Sequence, residues 1–171
     1  GRVEGQTLVY IYDTFFPGMA KEQAEITERL NRFEQEMSFD FIPGVLDFIA
    51  DLHRNGVKTA VVTSSNEAKM AAVYRVHPEI KTLFDRILTA EMFTASKPAP
   101  DCFLLGMEVF GTTPDTTYVF EDSFNGIQSG KDAGMRVIGL STTNPAESLR
   151  DKVYEVIPNF EKVTFEDYLR W

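Results

Sequence analysis

Short apolar runs alternate with longer segments of helical periodicity between residues 45 and 157. In the first of these segments Val45, Phe48, Ile49 and Leu52 fall on one helical face, and an Asn-Gly pair follows as a stop signal. The predicted helices are 45–52, 67–73, 100–110 and 123–133, and the predicted strands are 58–63, 87–88, 118–120, 137–140 and 153–157. This alternation predicts βαβ units, and hence an α/β fold in which helices flank a mostly parallel, Rossmann-like sheet.

Residues 5–37 have helical spacing on both sides of a break at Pro17-Gly18. The apolar positions before the break are Leu8, Ile11, Tyr12 and Phe15, and those after it are Ile26, Leu30, Phe33 and Met37. Two helical segments joined by a Pro-Gly break predict an αα-hairpin. We therefore expect a helical domain at 1–38 and an α/β core domain at 39–171.

The length of 171 residues suits one α/β domain with a small helical appendage. The chain has 17 basic and 26 acidic residues and a net charge of -9, with no basic stripe, so nucleic acid is not an expected partner. Every apolar run is shorter than the roughly 20 residues that cross a bilayer. We expect no membrane association and a cytoplasmic protein.

The chain's one cysteine and two histidines carry little chemical signal. Cys102 has no partner for an internal disulfide, and core packing is the interpretation we favour over a reactive thiol. His53 and His77 each lack a second ligand at metal-binding spacing. A zinc site is therefore not expected.

The run Thr63-Ser64-Ser65-Asn66 follows a predicted buried strand and leads into a helix. Hydroxyls and backbone N–H groups at a helix N-terminus can form an anion site. Ordinary N-capping explains the same residue types equally well. The run by itself leaves both interpretations open.

Lys97 lies in a loop stiffened by Pro98 and Pro100. A rigid loop can hold an ammonium group in one place, where it could meet a phosphate oxygen. A solvated surface lysine is the plainer interpretation, since lysines are common in loops.

Glu121 and Asp122 are adjacent acids at the end of an apolar strand. Two acids beside a hydrophobic strand need a cation or hydrogen-bond donors to compensate them. Carboxylate oxygens with Ser123 nearby suit Mg²⁺, whereas Asp122 or Ser123 could instead cap the following helix.

Taken together, these three segments resemble the second, third and fourth motifs of the haloacid dehalogenase superfamily. The matching segments are residues 63–66, 97–101 and 121–127, followed by Ala133-Gly134 and Val137-Ile138-Gly139. The β-phosphoglucomutase-like phosphatases and mutases are the most similar subgroup. The resemblance covers residues 41–144 and adds a partial helical cap to the expected Rossmann-like core.

The resemblance implies a role for each matched residue. Thr63 would bind the transferring phosphoryl group, Lys97 would neutralise its charge, and Asp122 with Glu121 would bind Mg²⁺. The implied substrate-contacting residues are Ser64, Ser65, Asn66, Gln6 and Thr7, and those that orient the metal-binding loop are Ser123 and Asn125. The family also implies a small phosphorylated metabolite as substrate and a monomer.

The family's first motif, a strand ending in Asp-x-Asp, has no match in the chain. Asp13 is the one early candidate, and we expect it on the surface of a helix. Without the first-motif strand two strand edges would face each other unpaired, so we expect some tens of residues ahead of Gly1.

Residues 1–38 would then be the rear part of a cap inserted after that motif, with residues 4–7 facing the active site. A basic residue often found just after this loop in the mutases is absent at Leu8 and Val9, which favours a phosphatase.

The expected function is Mg²⁺-dependent hydrolysis of a small phosphate monoester, such as a sugar phosphate, through an aspartyl-phosphate in the complete polypeptide. The 171 residues alone are expected to be inactive. The alternatives are a non-catalytic phosphate- and cation-binding module or a sugar-phosphate mutase. A phosphorelay receiver fits poorly, because its hydroxyl and lysine follow the acid pair, whereas here they precede it.

Overall fold

The computed structural model describes residues 8–10, by their backbone alone, and residues 41–171. In this part of the chain six parallel strands form one sheet. They are β1 (Leu8–Tyr10), β2 (Lys58–Val62), β3 (Arg86–Leu88), β4 (Thr117–Glu121), β5 (Arg136–Leu140) and β6 (Glu155–Ile157), in the spatial order β3-β2-β1-β4-β5-β6. The predicted Rossmann-like sheet is confirmed.

The strands alternate with helices, as the periodicity predicts. The α-helices of the described segments are α1 (Val45–Arg54), α2 (Glu67–Val76), α3 (Ile80–Leu83), α4 (Asp101–Phe110), α5 (Phe124–Asp132), α6 (Ala146–Leu149) and α7 (Phe165–Arg170). Single 3₁₀ turns occupy Ala90–Met92 and Pro114–Thr116. The sequence pattern missed α3, α6 and α7, which are too short to show a helical period.

Alternate side chains of β2, β4 and β5 enter cores on opposite faces of the sheet. On one face Val61 of β2 and Phe120 of β4 pack with helices α1, α2 and α7. On the other face Val62 and Val119 pack with α4, α5 and α6. Because both faces are covered, the strands read as continuous apolar runs rather than as alternating patterns.

Strand β1 lies in the centre of the sheet, between β2 and β4, and corrects the prediction for this part of the chain. Leu8 is in register with Lys58 on one side and with Thr117 on the other. The predicted helix is therefore wrong at Leu8–Tyr10, and the edges of β2 and β4 are paired rather than open.

This placement also changes two arguments drawn from the sequence. The expectation of unpaired strand edges no longer supports a missing segment, although the absence of Asp-x-Asp from the sequence still stands. Leu8 and Val9 lie in the sheet rather than beside a cap loop, so they do not discriminate between phosphatase and mutase. For the rest of residues 1–38 the division into a cap remains a prediction outside the described residues.

No helix of the described segments is both long and apolar enough to cross a membrane.

Candidate active site

The residue that directly follows β2, Thr63, carries a buried hydroxyl. Thr63 is fully buried, and its amide continues the ladder by donating to the carbonyl of Leu88 at 3.0 Å. Its Oγ1 accepts a hydrogen bond from the backbone N–H of Ser65 at 2.9 Å. The hydroxyl is thereby fixed at the carboxyl edge of the sheet, where parallel sheets bind their ligands.

Side chains of the protein already accept hydrogen bonds from the first backbone amides of α2. Asn66 is the N-cap and accepts from the amide of Lys69 at 2.8 Å. The amide of Glu67 donates to both carboxylate oxygens of Glu91 at 3.1 Å. The capping interpretation is therefore confirmed for Asn66, while Ser64 is exposed and Ser65 is buried.

Lys97 is not a solvated surface lysine. Its side chain is 5% exposed, and Nζ lies 2.9 Å from Oε1 of Glu121, which is 1% exposed. Nζ also donates to the carbonyl oxygen of Val62 at 3.4 Å. The ammonium group therefore joins the end of β2 to the end of β4, and two of the predicted motifs meet at one buried ion pair.

The loop that carries Lys97 is fastened to the neighbouring helices. Ser129 of α5 donates to the carbonyl oxygen of Ala99 at 2.6 Å, and its Oγ lies 3.6 Å from Sγ of Cys102. The ring of Phe103 lies under the ammonium group, 5.2 Å from Nζ to the ring centroid. Cys102 is fully buried, as predicted, and belongs to the packing that supports the lysine loop.

Glu121 and Asp122 have different environments although they are adjacent. Glu121 accepts through Oε1 from Lys97 and through Oε2 from the backbone N–H of Asp122 at 3.1 Å. Ser123 caps α5 by accepting from the amide of Gly126 at 3.0 Å, so Asp122 is not the capping residue. Glu121 thus positions Lys97, and Asp122 is the acid better placed to meet a cation.

Two residues outside the three sequence motifs hold Asp122. Thr143 donates from Oγ1 to Oδ2 of Asp122 at 2.7 Å, and the side-chain amide of Asn144 donates to the backbone carbonyl of Asp122 at 3.1 Å. Both lie in the loop after β5. The sequence did carry a signal for these two residues, because a polar run directly follows the fourth predicted strand. The carboxyl ends of parallel strands lie at the same edge of a sheet, so this run belongs near the other motifs.

The structure brings Thr63, Lys97, Glu121 and Asp122 to the same edge of the sheet, as the motif order predicts. Ser123 supports this edge as a helix cap, whereas Asn125 is exposed on α5. Gln6 and Thr7, and also Asp13, lie outside the described residues. Their predicted roles remain predictions.

The residues present fit a magnesium ion in part. Asp122 is 4% exposed and offers a hard carboxylate oxygen at the sheet edge. Within the described segments no group of three or more His, Cys, Asp or Glu side chains is arranged around a common point. Mg²⁺ does not need one, because it binds through one or two carboxylates together with waters and substrate phosphate.

Comparison with known proteins defines the class to which this fold and site belong. Residues 2–140 match the sequence profile described as haloacid dehalogenase-like hydrolase. The match covers most of the chain, so the chain belongs to the haloacid dehalogenase-like hydrolase family. The resemblance inferred from the motifs is confirmed.

Among its relatives, hexitol phosphatase A of Escherichia coli is 29% identical over 84% of this chain and 68% of that protein. Protein CbbY of Cereibacter sphaeroides is 33% identical over 66% of this chain and 50% of that protein. The chloroplastic Suppressor of Quenching 1 of Arabidopsis thaliana is 33% identical over 80% of this chain, which spans 13% of that protein. The chain is thus similar to only a part of several longer proteins.

Solved structures agree with this assignment. CbbY from Rhodobacter sphaeroides, crystallised with phosphate, is 27% identical with a TM-score of 0.68, over 84% of this chain and 65% of that one. A hydrolase of Entamoeba histolytica superposes with a TM-score of 0.77 at 24% identity, over 88% of this chain and 70% of that one. The second likeness supports the fold alone.

Proposed function

We propose that the full-length protein is a Mg²⁺-dependent phosphatase that hydrolyses a small phosphate monoester, such as a sugar phosphate. The observation that carries the proposal is the buried Lys97–Glu121 pair, which joins the end of β2, with its Thr63 hydroxyl, to the end of β4, with Asp122. A buried lysine at the meeting point of two strand ends suits an anion that approaches the sheet edge.

Each residue has a distinct part in this proposal. Thr63, held by the amide of Ser65, would orient a phosphoryl oxygen, and Lys97 would offset its negative charge. Asp122 would hold the cation, and Glu121 would keep the ammonium group of Lys97 in place. When bound, Mg²⁺ would neutralise charge on the phosphoryl group in the transition state. Positioning and charge neutralisation supply most of the catalysis in phosphoryl transfer.

An aspartyl-phosphate intermediate requires a nucleophilic aspartate that the described residues do not supply. We propose that it is either an acid encoded ahead of Gly1 or Asp13, which follows β1 by three positions in the sequence. In the first case residues 1–171 alone hydrolyse no monoester. Comparing the isolated chain, the full-length protein and the full-length Asp13→Asn variant in one assay separates these two sources.

The test of the proposal is a phosphatase assay of the full-length protein with Mg²⁺. The panel contains substrates that relatives' names suggest: hexitol phosphates, fructose 1-phosphate, pseudouridine 5′-phosphate and FMN. We expect Asp122→Asn to weaken Mg²⁺ binding and Lys97→Ala to weaken phosphate binding, each about tenfold or more. Asp132→Asn and Lys131→Ala on α5 are matched controls. No turnover across the panel, or unchanged affinities in both site variants, would contradict the proposal.

A non-catalytic module that binds phosphate and a cation is the second candidate, and the absence of Asp-x-Asp from the sequence favours it. It predicts that phosphate and Mg²⁺ bind to the full-length protein without turnover. A mutase, which the likeness to β-phosphoglucomutase of Mycobacterium tuberculosis also suggests, would move phosphate between hydroxyls of one sugar. Product analysis by ³¹P NMR distinguishes the three outcomes.

A further inference from the structure

We propose that Thr143 and Asn144, in the loop after β5, are positioning residues that hold Asp122 in the orientation needed to bind a divalent cation. The inference rests on the proposed function, since it concerns the same acid. It adds the end of β5 to the site, which the three sequence motifs do not include. It also predicts that cation affinity depends on a residue that does not itself contact the cation.

Asp122 is held at three separate points. Its N–H donates to Oε2 of Glu121 at 3.1 Å, its carbonyl accepts from Asn144 at 3.1 Å, and its Oδ2 accepts from Thr143 at 2.7 Å. The first two contacts fix the main chain, and the third fixes the carboxylate. A carboxylate with one fixed orientation loses less freedom when it binds a cation, and partners of this kind raise metal affinity.

Capping of the helix that follows does not account for Thr143 and Asn144. Threonine and asparagine commonly cap helices that begin just after them. Helix α6 begins at Ala146 with Pro145 as its N-cap, and no side-chain hydrogen bond caps it. Thr143 is itself exposed, so burial does not require its hydroxyl to find a protein partner. Both side chains instead donate to Asp122.

The adjacent Thr142 provides a matched control. Its Oγ1 is buried and has no hydrogen-bond partner among the described residues. Thr142→Val and Thr143→Val therefore remove the same group from neighbouring positions of one loop, and only the second removes a donor to Asp122. Thr143→Ser keeps the hydroxyl and serves as the rescue variant.

The experiment is isothermal titration calorimetry of Mg²⁺ into the full-length protein and its variants. We expect Thr143→Val to raise the dissociation constant about tenfold and Asn144→Ala to raise it less, within the range for partners of metal ligands. Thr142→Val and Thr143→Ser should keep the affinity of the unmodified protein. Circular dichroism of each variant confirms that it is folded, and the exposure of Thr143 makes misfolding of its variants unexpected.

The results separate this inference from the proposed function on which it rests. If Asp122→Asn loses Mg²⁺ binding while Thr143→Val keeps it, the positioning role is wrong and the metal role of Asp122 stands. If Thr143→Ser is as weak as Thr143→Val, the hydroxyl is not the group responsible and the inference also fails. If Asp122→Asn binds Mg²⁺ normally, Asp122 does not bind the metal, and the positioning role of Thr143 and Asn144 is wrong as well.

Discussion

Gly126 illustrates how a single residue without a side chain permits the site. A Cβ atom at this position would lie 2.0 Å from Cδ and 2.1 Å from Oε1 of Glu121. That carboxylate is buried and bonded to Lys97, so it cannot move away without breaking the ion pair. The helix that follows the acid pair can therefore approach β4 closely only because residue 126 is glycine.

We expect Gly126→Ala to lower the free energy of unfolding by about 1–3 kcal/mol, the usual cost of an extra group in a packed interior. Displacing Glu121 should also weaken phosphate binding, because Glu121 positions Lys97. Urea unfolding and phosphate titration of the full-length protein measure the two effects. Gln128→Ala, an exposed change on the same helix, is the control and should alter neither. A Gly126→Ala variant of unchanged stability would show that Glu121 has room to shift.

At the scale of single elements, α7 is a six-residue helix whose start is fixed by side chains. Thr164 and Asp167 form a capping box, in which each side chain accepts from the other residue's backbone amide. Tyr168 of this helix is buried against the core of the sheet. The pattern Thr-x-x-Asp was a readable start signal in the sequence.

The capping box makes a prediction about pH. The backbone N–H of Thr164, followed by its hydroxyl and by Arg170, holds the pKa of Asp167 below its ordinary value. A lowered pKa stabilises the fold above the unfolded value of about 3.9, and this contribution is lost as the pH falls through the folded value. Asp167→Asn should therefore destabilise the protein at pH 7, and its difference from the unmodified protein should shrink below about pH 4.

Urea unfolding at several pH values measures the effect. Glu166→Gln, which removes an exposed neighbouring acid from the same first turn, is the matched control and should show a smaller change. Equal, pH-independent behaviour of the two variants would mean that the capping box does not stabilise α7.

At the scale of the whole molecule, the position of β1 decides whether the sheet is continuous. Val9 is in register with Thr59 of β2 and with Tyr118 of β4, so both edges of its strand are occupied. Proline at this position would remove a ladder donor and leave an acceptor buried without a partner. In contrast, β6 pairs with β5 on one side, and the amide of Val156 donates to Oε1 of Glu155 at 3.2 Å.

We expect Val9→Pro to cost about 1–3 kcal/mol for each ladder acceptor that it leaves unpaired, and Val156→Pro to cost clearly less. The free energy of unfolding in urea gives the comparison directly. If the two proline variants are equally stable, residues 8–10 do not lie in the centre of the sheet.

The sequence by itself determined the elements whose signals are local. Continuous apolar runs predicted β2, β4 and β5 within two residues of their ends, and helical spacing with stop signals predicted α1, α4 and α5. The order of a hydroxyl, a lysine and an acid pair along the chain was also visible in the sequence, and the family resemblance that it carries predicted Thr63, Lys97 and Asp122 as neighbours. Such signals need only the residues of one segment, because periodicity and turn chemistry are properties of that segment.

Only the tertiary structure decided which segments share the sheet edge and which strand lies between them. Leu8, Ile11, Tyr12 and Phe15 fit a helical face, yet the same stretch contains a continuous apolar run that suits a buried strand. Pairing with β2 and β4 selects the strand for Leu8–Tyr10, and no local pattern contains that information. Likewise, the contacts of Thr143 and Asn144 with Asp122 span about twenty positions of sequence and exist because β5 lies beside β4.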